Sequence, residues 1–166
     1  MPIAYLMLGS NLGDRLKNLQ QAYKALGKEV GTIIRSSAIY ESEPWGFSHP
    51  EYFLNQILIL QTSFEVEEVL GSILKIEEGM GRMRNSHDYQ ARTIDIDILF
   101  YNEQVVQSQF LTVPHPRIAE RRFVLLPLLE MESDLIHPVT GRTIWEMYRE
   151  CQDTLSVKIL DFRVEI

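Results

Sequence analysis

An α+β fold, with an antiparallel sheet and helices packed on it, is predicted by three observations. Apolar runs of strand length occur at residues 3–8, 33–41, 53–60 and 92–101. Two amphipathic stretches of helix length interrupt them, giving the order β-α-β-β-α-β. The last third carries only short helical segments, after a connector broken by prolines.

The elements follow in chain order. Residues 3–8, Ile-Ala-Tyr-Leu-Met-Leu, form an unbroken apolar run that stops at Gly9-Ser10-Asn11, which reads as a central strand ending in a turn. Asn11, with Asp14 three positions on, marks a helix start, and Leu16, Leu19, Tyr23 and Leu26 recur on one face of a helix over 13–27. Ile33, Ile34, Ala38, Ile39 and Tyr40 make 33–41 a strand, and 53–60 is a more apolar one, with a loop between them. Thr62 and Glu65 have capping-box spacing ahead of Val66, Val69, Leu70, Ile73 and Leu74, a helix that ends near Gly79 or Gly81. Residues 82–92 are polar and aperiodic and read as a mobile loop leading into the strand 92–101. A short hairpin is expected around Asn102-Glu103, and 111–117, with Pro114 and Pro116, reads as a rigid connector. Helical segments are expected at 117–121, 124–131 and 144–151, the last with Thr143 and Glu146 as a capping box, before a closing strand at 157–161. The order is that of a ferredoxin-like βαββαβ core with helices on one face, extended by C-terminal helices and a small extra hairpin, in one domain over 1–166.

Composition narrows the partners. A formal net charge of -7 disfavours broad attraction to nucleic acid or anionic membrane, so a metal-dependent nuclease is a poor fit and the expected partners are small molecules. Cys151 is the single cysteine, which excludes an intrachain disulfide, and Met-Pro-Ile-Ala-Tyr lacks the form of a signal peptide. The expectation is a cytoplasmic, monomeric protein without a membrane span.

Asp95 and Asp97 are the most informative residues. Two apart in a strand, they project from one face about 6.5 to 7 Å apart, while Ile94, Ile96 and Ile98 fill the other. Side-by-side anions in an apolar strand need a counter-charge, and two answers stand open: a divalent cation such as Mg²⁺, or an ion-pair patch with Arg82 or Arg92. Arginines also match phosphate oxygens, so Arg82, Arg84 and Arg92 beside such a strand suit a transferring phosphoryl group. Gly9-Ser-Asn-Leu-Gly-Asp lacks the end of a Walker loop, and Gly79-Met-Gly81 is a fragment of a dinucleotide fingerprint; neither identifies a nucleotide fold. Phe53 and Asn55 share a strand face, and with Phe123 they are either an aromatic clamp with an amide for a flat heterocycle or core packing. His115, between two prolines, is a fixed donor for ribose or phosphate, or a turn cap.

Together, Leu8-Gly-Ser-Asn-Leu-Gly-Asp, Tyr40-Glu-Ser-Glu-Pro-Trp-Gly, Phe53-Leu-Asn, Glu77-Glu-Gly-Met-Gly-Arg82, Arg92-Thr-Ile-Asp-Ile-Asp-Ile-Leu and Val113-Pro-His-Pro-Arg resemble the 6-hydroxymethyl-7,8-dihydropterin pyrophosphokinase family of folate biosynthesis. The resemblance runs through nearly the whole chain in the family's order. It implies transfer of diphosphate from ATP to the pterin hydroxymethyl group with release of AMP, and two Mg²⁺ ions bridging Asp95, Asp97 and the phosphates. It further implies that Phe53 and Phe123 sandwich the pterin, that Asn55 reads its edge, and that Ser42, Pro44, Trp45 and Gly46 line its pocket. Arg82 and Arg92 would stabilise the transferring group, and Glu77, Arg84, Ile98, Thr112, His115 and Arg121 would serve the nucleotide, Ile98 and Thr112 through their backbones. The chain departs from the family where many members read Arg-Trp-Gly-Pro-Arg and it reads Asp88-Tyr89-Gln90-Ala91-Arg92, which replaces a loop cation by an anion. A non-catalytic ferredoxin-like ligand-binding module is the alternative from another class.

Overall fold

The computed structural model describes residues 1–81 and 93–160. Its core is a six-stranded sheet made of β1 (Ile3–Ser10), β2 (Thr32–Ser36), β3 (Tyr40–Ser42), β4 (Phe53–Gln61), β5 (Asp95–Tyr101) and β8 (Val157–Ile159), in the order β5-β1-β4-β3-β8 with β2 also on β4. All pairings are antiparallel. The expected ferredoxin-like order is present, with α1 (Arg15–Glu29) and α2 (Val66–Gly79) as its two crossovers.

The helices do not stay on one face. Even-numbered residues of β1 and β4, such as Leu6, Leu8, Leu58 and Leu60, join Leu19, Leu26, Val69 and Ile73 of α1 and α2 in one apolar cluster. Odd-numbered residues Tyr5, Met7, Ile57 and Ile59 meet α3 (Arg122–Glu132) and α4 (Ile144–Glu150) in a second cluster on the opposite face. The strands therefore read as near-continuous apolar runs because both faces are covered.

Several local expectations are corrected. Gly9 and Ser10 lie within β1 and are not a turn; the helix N-cap is Asp14, whose carboxylate accepts from the Lys17 N–H at 3.1 Å, while the Asn11 amide donates to the Glu51 carbonyl. Thr62 is buried and donates to the Val30 carbonyl at 2.6 Å; the reciprocal cap is one residue pair later, with the Glu65 N–H donating to the Glu68 carboxylate at 3.1 Å. The expected strand 33–41 is broken into β2 and β3, because the Ser37 hydroxyl accepts from the Ile57 N–H and its own N–H donates to the Ile57 carbonyl. The turn at Asn102 is present, with φ of 49°, but the hairpin that follows pairs β6 (Val106–Gln107) with β7 (Thr112–Val113) and not with β5. The capping box at Thr143 and Glu146 is found as expected.

Candidate functional site

The site grows from one cross-strand row. Asp95 on β5 pairs with Gly9 on β1, Gly9 with Asn55 on β4, and Asn55 with Tyr40 on β3, so these four residues line up across the sheet on the α3 face. Asp97 pairs with Met7 in the next row of that face, and Met7 with Ile57. Beyond Asp97 a bulge opposite Tyr5 and Leu6 turns both Leu99 and Phe100 into the α3 cluster. The α3 face is thus greasy at one end and polar at the other.

Glycine at position 9 keeps the polar end accessible. A Cβ there would stand 3.4 Å from Asn55 Oδ1 and 3.5 Å from Phe53 Cδ1, filling the space between the amide and the ring. Neither the role of Gly9 nor that of Tyr40 is assigned by the sequence reading. A lone glycine ending an apolar strand run was the available signal for the first.

Asn55 is buried and its orientation is fixed by what it bonds. Its Nδ2 donates to the Ser42 hydroxyl at 2.7 Å and toward the Tyr40 carbonyl at 3.4 Å. A carbonyl only accepts, so the amino end faces Tyr40 and Oδ1 faces the Gly9 side as an acceptor. Phe53, half-buried, meets Phe47 edge-on with centroids 6.1 Å apart. Arg15 anchors the loop between β3 and β4 by donating to the Glu41 carboxylate at 2.7 Å and the Tyr52 carbonyl at 2.8 Å.

On the β5 side, the buried Glu77 carboxylate of α2 accepts from the Ile96 N–H at 2.9 Å. Ile96 lies between the two aspartates, on an edge strand whose outward donor would otherwise be buried unsatisfied. Glu77 therefore holds the backbone that carries Asp95 and Asp97. Ile98 points into the α1/α2 cluster, away from the aspartates. The connector after β7 is tied to β5 by the His115 N–H, which donates to the Leu99 carbonyl at 3.0 Å. His115 Nδ1 accepts from the Arg117 N–H at 3.1 Å, which places the proton of the neutral ring on Nε2. Burial first, then the Arg121 guanidinium, push this imidazole down to about 4, against an upward pull from Asp95. The ring is thus a neutral Nε2–H donor within electrostatic reach of the aspartate strand.

Arg121 is itself buried and lies over the Trp45 ring at 4.6 Å and the Phe123 ring at 5.7 Å; Arg117 also lies over Trp45, at 5.6 Å. Trp45, expected beside the heterocycle, and Arg121, expected beside the nucleotide, are brought together. Pro44 is buried in the same loop, and Gly46 takes a positive φ of 84° that favours glycine. Thr112 pairs with Gln107 in the β6–β7 hairpin. Arg82, Arg84, Arg92 and the departure at Asp88 to Ala91 lie outside the described residues.

Among the described residues no group of three or more His, Cys, Asp or Glu side chains is placed to hold a metal. Two carboxylates suit a hard cation that keeps water and ligand phosphates in its shell, as Mg²⁺ does, and they suit a structural Zn²⁺ poorly. No helix among the described residues is long and apolar enough to cross a membrane.

Comparison with known proteins shows the family. Residues 5–133 match the family model of 7,8-dihydro-6-hydroxymethylpterin-pyrophosphokinase. The chain is 40% identical over 150 residues to the 2-amino-4-hydroxy-6-hydroxymethyldihydropteridine pyrophosphokinase of Aquifex aeolicus, covering 90% of this chain and 92% of that one. It is 38% identical over 158 residues to the folic acid synthesis protein fol1 of Pneumocystis carinii, covering 95% of this chain but only 21% of that longer protein. Among solved structures, the Plasmodium falciparum HPPK-DHPS with pteroate superposes with a TM-score of 0.75 at 19% identity, over 90% of this chain and 44% of that one, which bears on the fold alone.

Proposed function

The chain belongs to the 7,8-dihydro-6-hydroxymethylpterin-pyrophosphokinase family, and from that premise we propose that it transfers diphosphate from ATP to the hydroxymethyl group of 6-hydroxymethyl-7,8-dihydropterin, releasing AMP. The observation that carries the assignment is the row Asp95, Gly9, Asn55 and Tyr40 with Asp97 in the row beside it, which sets two carboxylates and an amide acceptor on one sheet face across a residue without a side chain.

The pterin ring lies in that space, between Phe53 and Phe123. Asn55 Oδ1 accepts from its N–H edge, which selects a heterocycle that presents donors there, and Ser42, Pro44, Trp45 and Gly46 wall the pocket. The nucleotide lies toward β5 and the proline connector. Asp95 and Asp97 would hold the two Mg²⁺ ions, which would neutralise polyphosphate charge. The neutral His115 donates from Nε2 to ribose or phosphate without adding a charge that would bind the ground state and the transition state alike. Glu77 acts through the Ile96 N–H, Ile98 and Thr112 through their backbones, and Arg121 and Arg84 add cationic donors to the nucleotide. Arg82 and Arg92 stabilise charge on the transferring group. The pterin hydroxyl attacks the β-phosphorus of ATP, the bond to the α-phosphate oxygen breaks, and AMP leaves with that oxygen. The reading carries with it a single domain, a monomer and a cytoplasmic address.

Incubation with Mg²⁺, ATP and the reduced pterin tests it. AMP and pterin diphosphate are the expected products; ADP, or no nucleotide product, would contradict the assignment.

A further inference from the structure

We propose that Glu130 and Tyr40 act as a positioning pair that sets the pterin pocket without touching either substrate. The inference rests on the pterin reading above and gives a role to Glu130 and to the Tyr40 hydroxyl, which that reading does not use.

The pair fills a gap in the sheet. Between β2 and β3 the chain leaves its ladder at Ser37, and the Ala38 N–H is met by the carboxylate of Glu130 from α3, with both oxygens at 3.2 Å. The same carboxylate accepts from the Tyr40 hydroxyl at 2.7 Å, a charge-assisted bond to a side chain that is buried. One α3 residue thus holds two points of the β3 segment.

What β3 then holds is Asn55. The Tyr40 carbonyl and the Ser42 hydroxyl, two residues apart on β3, receive the Asn55 amino group and leave Oδ1 toward the pocket. A shift of β3 by a few tenths of an ångström lengthens these bonds and turns the acceptor. The other end of the device is Phe123. It precedes Glu130 by seven residues, two helical turns, so the two share a face of α3 about 10.5 Å apart. Pinning Glu130 to β3 therefore sets how far Phe123 stands from the sheet, while Tyr40 and Ser42 set the amide. One wall and the edge contact expected to grip the pterin, Phe123 and Asn55, are referred to one carboxylate.

Apart from Arg121, which caps α3 and lies over Phe123, the nucleotide side lacks this dependence. Asp95, Asp97 and Glu77 sit on β5 and α2, and β1 and β4 separate β5 from β3. The pair should therefore separate pterin binding from nucleotide binding.

The test compares Tyr40→Phe, Glu130→Ala, Glu130→Gln and the double variant Tyr40→Phe/Glu130→Ala in steady-state AMP formation, with thermal unfolding alongside. Tyr40→Phe and Glu130→Ala are expected to raise the pterin KM about fivefold, with the ATP KM and kcat within about twofold of the parent. Glu130→Gln, which keeps one carbonyl acceptor, restores most of the affinity. The double variant is no worse than Glu130→Ala, because one interaction is lost in both. A pterin KM unchanged in both single variants, an equal rise in the ATP KM, or an effect confined to the unfolding temperature overturns the proposal. Absence of AMP from the parent protein overturns the functional reading itself, so the two failures are distinguishable.

Discussion

The two faces of the sheet are made by the same strands and end differently. On the α1/α2 face, Leu6, Leu8, Leu58, Leu60, Ile96 and Ile98 belong to one hydrocarbon cluster, broken on β4 by the buried Gln56. On the α3/α4 face the hydrocarbon runs through Tyr5, Met7, Ile57, Ile59, Leu99 and Phe100 and then gives way to Asp97, Asp95, Gly9 and Asn55. Alternation along a strand lets one segment serve both ends: each aspartate of β5 is followed by an isoleucine pointing the other way. On the proposed function, stability and chemistry are divided between faces, and only part of the second face is given to chemistry.

That division separates the consequences of substitution. The largest effect is expected from Asp97→Ala, which should lower AMP formation by about a hundredfold or more while leaving the unfolding temperature near that of the parent, since it removes a half-buried charge and no packing. A drop in stability matching the loss of activity would break the comparison, because it would make the aspartates part of the scaffold. Next comes the closed face. Leu58→Ala, at a fully buried position, should cost about 2–5 kcal/mol in denaturant unfolding, with both KM values unchanged for the folded fraction. A selective rise in one KM would show that the faces are coupled.

The smallest effect at neutral pH sharpens the boundary between them. His115 has its imidazole pushed from 6.5 to about 4, so the folded protein resists a proton that the unfolded chain accepts. Its contribution to stability is complete above pH 6.5 and is lost as pH falls toward 4, with a slope of about 1.4 kcal/mol per pH unit inside that window. Parent and His115→Gln proteins should therefore diverge in pH dependence below 6.5 and run parallel above it. His137, also lowered by burial, titrates in both and cancels. Parallel curves at every pH would mean that the ring is not shielded in solution.

The expected elements on the closed face were legible because apolar spacing is all they need, and Leu19, Leu26, Val69 and Ile73 declare their helices by period alone. Asp95 and Asp97 stood out because charges in an apolar strand are anomalous, and their place on one face of β5 is what the alternation predicts. The helices of the second layer were expected at 124–131 and 144–151 and are found there, but their place on the opposite face was not legible, since the burial partners of that mostly apolar run are distant in sequence. The break at Ser37 was hidden for a related reason: 33–41 has the composition of one strand, and what divides it is a serine bonded to Ile57 and a glutamate more than ninety residues away. Glu77 was associated with the nucleotide by resemblance, but its bond to the Ile96 N–H depends on how α2 docks against β5, which no local pattern encodes.

The most direct test of the central claim, that the polar end of the α3/α4 face is where both substrates meet, is a structure with Mg²⁺, a non-hydrolysable ATP analogue and the reduced pterin. The account expects metal ions against Asp95 and Asp97 and the pterin ring between Phe53 and Phe123 with its edge on Asn55. Metal ions that bind the nucleotide while touching neither aspartate would contradict it.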